Sequence, residues 1–208
     1  MELTTSAFAS NGAIPAEFAF GATDTATHVK LSGNRNPDLR WSGLPPGTRS
    51  LAVLCHDPDV PSRGDDVNKE GRKVPASLPR VDFFHWVLVD LRPDTPPIER
   101  GEFSEGVTAR GKPGPHAPRD ARQGINDYTG WFAGDKDMAG NYFGYDGPCP
   151  PWNDELPHHY VFTLYALDVA RTPIEGRFAG AALRQAIYPH VLGAATHSGT
   201  YTLNRRLL

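Results

Sequence analysis

The residues best suited to chemistry fall in three short segments, each at or near an apolar stretch. Asp57-Pro58-Asp59-Val60-Pro61 closes one run, and His85-Trp86 sits in a second. Gly144-Tyr145-Asp146-Gly147-Pro148-Cys149-Pro150-Pro151 leads to His158-His159-Tyr160 at the head of a third. A phosphate or carboxylate needs hydrogen-bond donors, and imidazole supplies them near neutral pH when a carboxylate orients it. His85 and His158 are the candidate donors. Asp57 can fix the tautomer of one imidazole or receive an ammonium. Gly144 and Gly147 would let backbone N–H groups approach an anion closely. Pro148, with Pro150 and Pro151, would stiffen that wall, so that little ordering entropy is lost on binding. Tyr160 can close such a pocket with its hydroxyl.

Plainer readings compete with these. Asp57 and Asp59 can cap a turn, since Asp before Pro favours turn initiation. Asp59 is expected to be structural. A lone strand histidine is usually a core or edge residue, and His85 departs from that only in the company of Asp57 and His158. Trp86 is expected in the core. Alternation points His56 to the face opposite Asp57. There is no His-Glu-x-x-His or paired-cysteine pattern, so no metal is expected. There is no Gly-x-Ser-x-Gly elbow, and Asp57 with His85 lacks a third member. No catalytic residue and no cofactor are therefore assigned. Binding is favoured over catalysis, with a hydrolase of phosphorylated or ester substrates in the same pocket as the alternative.

The elements that must position these residues are mostly strands. Ser50 to His56 is almost continuously apolar and reads as a buried strand that stops at Asp57. Phe83 to Asp90 and His159 to Leu167 are rich in aromatic and β-branched residues. A short strand is expected around Leu39-Arg40-Trp41 and another over residues 199–203. Residues 62–80 read as a polar surface loop. The long irregular region from Gly101 to Pro157 holds Tyr128, Trp131, Phe132, Tyr142, Phe143, Tyr145 and Trp152, so it is expected to be ordered and packed on a sheet. Within it, residues 126–131 can rim a pocket or form a partner surface. Leu183, Ile187 and Val191 share one helical face, which predicts a helix over 180–195 divided at Pro189. Proline and glycine, 20 and 21 of 208 residues, also favour strands joined by ordered loops. The expectation is a mainly β, antiparallel architecture in one domain over 1–208, with peripheral helices near the C-terminus.

A net charge of −3 gives no global reason to bind nucleic acid. No apolar run reaches membrane-spanning or signal-peptide length. Cys55 and Cys149 lie far apart and read as reduced thiols. These features suggest a cytoplasmic protein.

In chain order, the three motifs resemble the phosphatidylethanolamine-binding family, in its bacterial Raf-kinase-inhibitor-like branch. An apolar strand runs into Asp-Pro-Asp-x-Pro, a strand carries His-Trp, and Gly-x-x-Gly-Pro-x-Pro-Pro leads to His-x-Tyr-Val-Phe. His190-Val191-Leu192 before Gly199-Thr200-Tyr201 extends the match, which covers roughly Leu39 to Leu203. The resemblance implies a large central antiparallel sheet packed on a smaller one, with a pocket at one end. It implies that Asp57, His85, His158 and Tyr160 line that pocket and that Gly144, Gly147 and Pro148 form its wall. It also implies a small anionic ligand, a regulated partner protein such as a kinase or protease, and a homodimer. The usual His-Arg-Tyr of the family is His158-His159-Tyr160 here, so a cation that would steer anions is missing at neutral pH.

Overall fold

The longest apolar runs form the longest strands. The structure, a computed structural model, describes residues 1–208. The strands are β1 (Glu2–Thr4), β2 (Gly12–Ala13), β3 (Gly21–Asp24), β4 (His28–Leu31), β5 (Arg40–Ser42), β6 (Ser50–Pro61), β7 (Arg80–Leu91), β8 (Arg122–Gln123), β9 (His158–Leu167) and β10 (Val191–Tyr201). The helices are α1 (Tyr128–Trp131) and α2 (Gly180–Ile187), with single 3-10 turns elsewhere. A six-stranded sheet runs in the order β2-β10-β9-β6-β7-β8, and two small sheets pair β1 with β5 and β3 with β4.

The main sheet separates two cores by two-residue alternation. Leu51, Val53 and Cys55 of β6 and Tyr160, Phe162, Leu164 and Ala166 of β9 face the larger core with Trp86 and Leu88. Ala52 and Leu54 face the other way, against Phe84, Val87, Val89, Leu183 and Ile187. Helix α2 thus covers the second face with the stripe that its periodicity marks.

The mainly antiparallel, mainly β expectation holds, and three points refine or correct the rest. First, β2 joins β10 in parallel register at Gly12 and Gly199, so one edge pairing makes the main sheet mixed. Second, the helical reading of 180–195 fails past Ile187. A 3-10 turn over Tyr188–His190 contains Pro189, and Val191 begins β10 opposite Leu167. Proline denies the helix a backbone donor there, and pairing with β9 then captures the chain. Third, β6 does not stop at Asp57 but continues to Pro61. Pairing shifts from Asp57↔Phe83 to Val60↔Val81, so Pro58 and Asp59 lie in a bulge. That is where a sheet tolerates a residue lacking N–H.

The long region before β9 is ordered, as its aromatic content implies. Tyr128, Tyr142, Phe143 and Tyr145 are buried. Its backbone is tied to β7, with Gly124 N–H donating to Val87 O and Asp127 N–H to Phe84 O. Trp86 is fully buried and donates its indole N–H to Gln123. Both cysteines are free.

Candidate functional site

The face of the sheet that lines the larger core turns polar at one end. Asp57 follows Leu51, Val53 and Cys55 by simple alternation. His158 follows Phe162 and Tyr160 in the same way on the neighbouring strand. His85 does not follow from alternation, because Val87 and Val89 face the opposite core. Pairing shifts between Cys55↔Trp86 and His56↔Phe84, which makes His85 the extra residue of a β-bulge. A bulge re-aims its side chain. The His85 ring consequently stands 5.1 Å from that of Tyr160 and faces the same cavity as Asp57. The main chain of His85 finds another partner, since its carbonyl accepts the N–H of Asp146.

Asp57, His85, His158 and Tyr160 form the floor of a cavity of about 320 Å³. All four are buried. Nδ1 of His158 is 2.7 Å from Asp57 Oδ2, and its Nε2 is 3.1 Å from Asp154 Oδ2. Carboxylates only accept, so both ring nitrogens donate and the ring is an imidazolium. Burial opposes that charge, but the hydrogen bonds the ring donates to both carboxylates outweigh burial and carry the His158 pKa up to about 9. Arg80 grips Asp154 with two N–H groups at 2.6 and 3.0 Å. Burial pushes the Asp154 carboxyl up, yet its bonds from His158 and Arg80 hold it below its ordinary value. Asp57, His158, Asp154 and Arg80 therefore form a chain of alternating charge. The other oxygen of Asp57 accepts Asp59 N–H at 2.7 Å.

His85 is set differently. Its Nδ1 lies 2.7 Å from the carbonyl oxygen of Asp146. A carbonyl only accepts, so Nδ1 carries the proton. Burial is the main reason that the His85 pKa falls to about 4, so the ring is neutral at pH 7. The Asp146 carboxylate is in turn held by Asn34, Asn126 and Lys112 at 2.7, 2.8 and 2.6 Å.

The wall is aromatic. Tyr128 stacks on Phe20 at 4.6 Å and on Phe132 at 5.6 Å, and Phe83 meets it edge-on at 5.2 Å. Trp131 and Leu31, both well exposed, stand at the rim with Met138, Pro150 and Pro151 nearby in the lining. The aromatic cluster of the long region was visible in the sequence, with its role undecided. Phe20, Val29 and Leu31 gave no signal, because they arrive through the β3–β4 hairpin from far away in the chain.

Gly144, Gly147 and Pro148 do not line the cavity, which corrects the expectation that they form its anion-accepting wall. The N–H of Gly147 donates to Asn34 Oδ1, and that of Gly144 to Gly124 O. Packing accounts for both glycines. A Cβ on Gly147 would stand 2.0 Å from Phe18 O, and Gly144 has φ +79°. The Pro148 carbonyl instead anchors the N–H groups of Phe20 and Gly21. Asp59 is structural, accepting from both the main chain and the ring of His159 at 2.8 Å across to β9. His56 faces the second core beside Phe84, away from the cavity.

A bulged His-Trp strand beside an Asp-Pro-Asp bulge, with a His-x-Tyr strand completing the floor of a pocket at a sheet end, defines a recognisable class. The sequence model of the phosphatidylethanolamine-binding protein family matches residues 4–202, and the chain belongs to that family. It is 30% identical over 201 residues to a UPF0098 protein of Methanothermobacter thermautotrophicus, covering 97% of this chain and 98% of that one. It is 28% identical over 194 residues to the UPF0098 protein YbcL of Escherichia coli, covering 90% and 85%. The crystal structure of Escherichia coli YbcL, described as a member of the mammalian PEBP family, superposes with a TM-score of 0.68 at 23% identity over 97% of each chain. No helix is long and apolar enough to cross a membrane.

Proposed function

We propose that this protein is a binding module for a small amphipathic ligand. A phosphoryl or carboxyl head group rests on His85 and Tyr160, beside the Asp57 carboxylate that holds His158, and an apolar body lies against the aromatic wall. The observation that carries this reading is the division of one cavity into a buried polar floor and a wall of Phe20, Phe83, Tyr128, Trp131 and Phe132. Pockets that hold small molecules have this composition, with few polar groups placed among many apolar ones. Each aromatic contact supplies area without much side-chain entropy to lose. His158 is a positioning residue in this reading, because both its N–H groups are already taken.

Turnover is not part of the proposal. The one thiol lining the cavity, Cys149, is pushed up by burial to about 12, which keeps it protonated and a poor nucleophile. The test is a calorimetric titration with inorganic phosphate, phosphoethanolamine and phenyl phosphate, on wild type and His85→Ala. Saturable binding is expected, tightest for phenyl phosphate and lost in the variant, with the ligand recovered unchanged. Equal behaviour of the two proteins, or release of phenol, would overturn the reading.

A further inference from the structure

We infer that an anionic head group enters this pocket together with one proton, carried in a hydrogen bond between Nε2 of His85 and a head-group oxygen. This rests on the binding reading above and specifies the chemical form of the ligand that the site accepts.

The hydrogen-bond donors around the cavity are largely taken. An oxyanion needs N–H or O–H groups pointed at it. The two N–H groups of His158 belong to Asp57 and Asp154. The Tyr128 hydroxyl donates to Gly147 O at 2.8 Å, and on the floor only the Tyr160 hydroxyl is left, a neutral donor beside the Asp57 carboxylate. Arg80 is held by Asp154 and by the carbonyls of Asp59 and Pro75. No lysine or arginine lines the cavity. The only ring proton of neutral His85 is on Nδ1 and is engaged with Asp146 O. What His85 presents to the cavity is therefore the lone pair of Nε2, which has no partner in the protein. A bare phosphate dianion or carboxylate would meet that lone pair, and the Asp57 carboxylate beyond it, with repulsion at both. A proton between Nε2 and the head-group oxygen turns the first repulsion into a short charge-assisted bond.

The groups facing the ring do not hold that proton in advance. From β6, Asp57 favours a charge on His85 and His56 opposes it. From β9, His158 opposes it, while Tyr160 stands edge-on to the ring. Phe83 on its own strand and Tyr128 from the long region bring aromatic faces, and Asp146 brings its carbonyl. Burial outweighs all of these and holds the free ring neutral. The proton is therefore taken from solvent when the ligand binds, and no covalent bond is made or broken. Only below about pH 6, where its second ionisation falls, does a phosphomonoester bring that proton itself as the monoanion.

The test is calorimetry of phenyl phosphate binding above that ionisation, at about pH 7.5, in two buffers of different ionisation enthalpy. The expected result is uptake of about one proton per ligand and an affinity that falls about tenfold for each further pH unit. In His85→Gln, an amide N–H can stand where Nε2 stood. That variant is expected to bind with no proton uptake and a flat pH profile. Wild-type binding with no proton uptake would overturn this inference and leave the pocket reading intact. Absence of saturable binding would remove both. The wild-type proton count decides alone if His85→Gln does not fold.

Discussion

The charge chain at the pocket floor makes the stability of the fold depend on pH in a defined direction. His158 has a pKa of about 9 in the folded protein, against an ordinary value of 6.5. Between those values the folded state holds a proton that the unfolded chain has released, so stability must fall as pH rises. The stabilisation is fully present below about pH 6.5 and gone above about pH 9. Each pKa unit corresponds to 1.36 kcal/mol, so the ring contributes about 3 kcal/mol across that window. His158 has no exposed side-chain surface, so solvent does not screen the effect away. The perturbation is His158→Gln, which removes the titration and leaves the pocket floor uncharged at that position. The assay is urea unfolding of both proteins at closely spaced pH values through the window. The stability gap between wild type and variant should close by about 3 kcal/mol as pH rises. A residual gap from the unpaired Asp57 and Asp154 carboxylates is expected at every pH, so the change in the gap is the measured quantity. A gap that stays constant would show that His158 is not charged by its neighbours, and the chain of alternating charge would have to be abandoned.

Two further outcomes follow from packing. Gly147→Ala places a methyl 2.0 Å from the Phe18 carbonyl and 2.9 Å from the Tyr145 hydroxyl. It should destabilise the protein by about 2 kcal/mol through overpacking, read as a lower urea midpoint with an unchanged slope. Trp131→Ala removes a rim side chain that is 53% exposed. Its unfolding free energy should stay within about 0.5 kcal/mol of wild type. Loss of an aromatic contact worth about 1 kcal/mol should nevertheless weaken phenyl phosphate binding about fivefold, measured by the same titration.

Much of the site was legible before any coordinates. Ser50 to His56, Phe83 to Asp90 and His159 to Leu167 are strands because their apolar, β-branched and aromatic residues leave few alternatives. The family resemblance of the three motifs singled out Asp57, His158 and Tyr160, and alternation set His56 on the other face, without reference to anything distant. The aromatic content of the long region required burial somewhere. What remained hidden depends on pairing between segments far apart in sequence. His85 reaches the pocket only because β7 carries one residue more than β6 opposite it, and register is a property of two strands together. The β3–β4 hairpin brings Phe20, Val29 and Leu31 to the wall, and no local pattern announces that. Residues after Ile187 carry a helical period yet form a strand, because β9 offers an edge that the isolated segment does not have. The charge states are the clearest case. Two histidines with the same intrinsic chemistry end up neutral and cationic, because one ring meets a carbonyl in a buried site and the other meets two carboxylates. Residue types determine which protons can move, and tertiary structure alone decides where they reside.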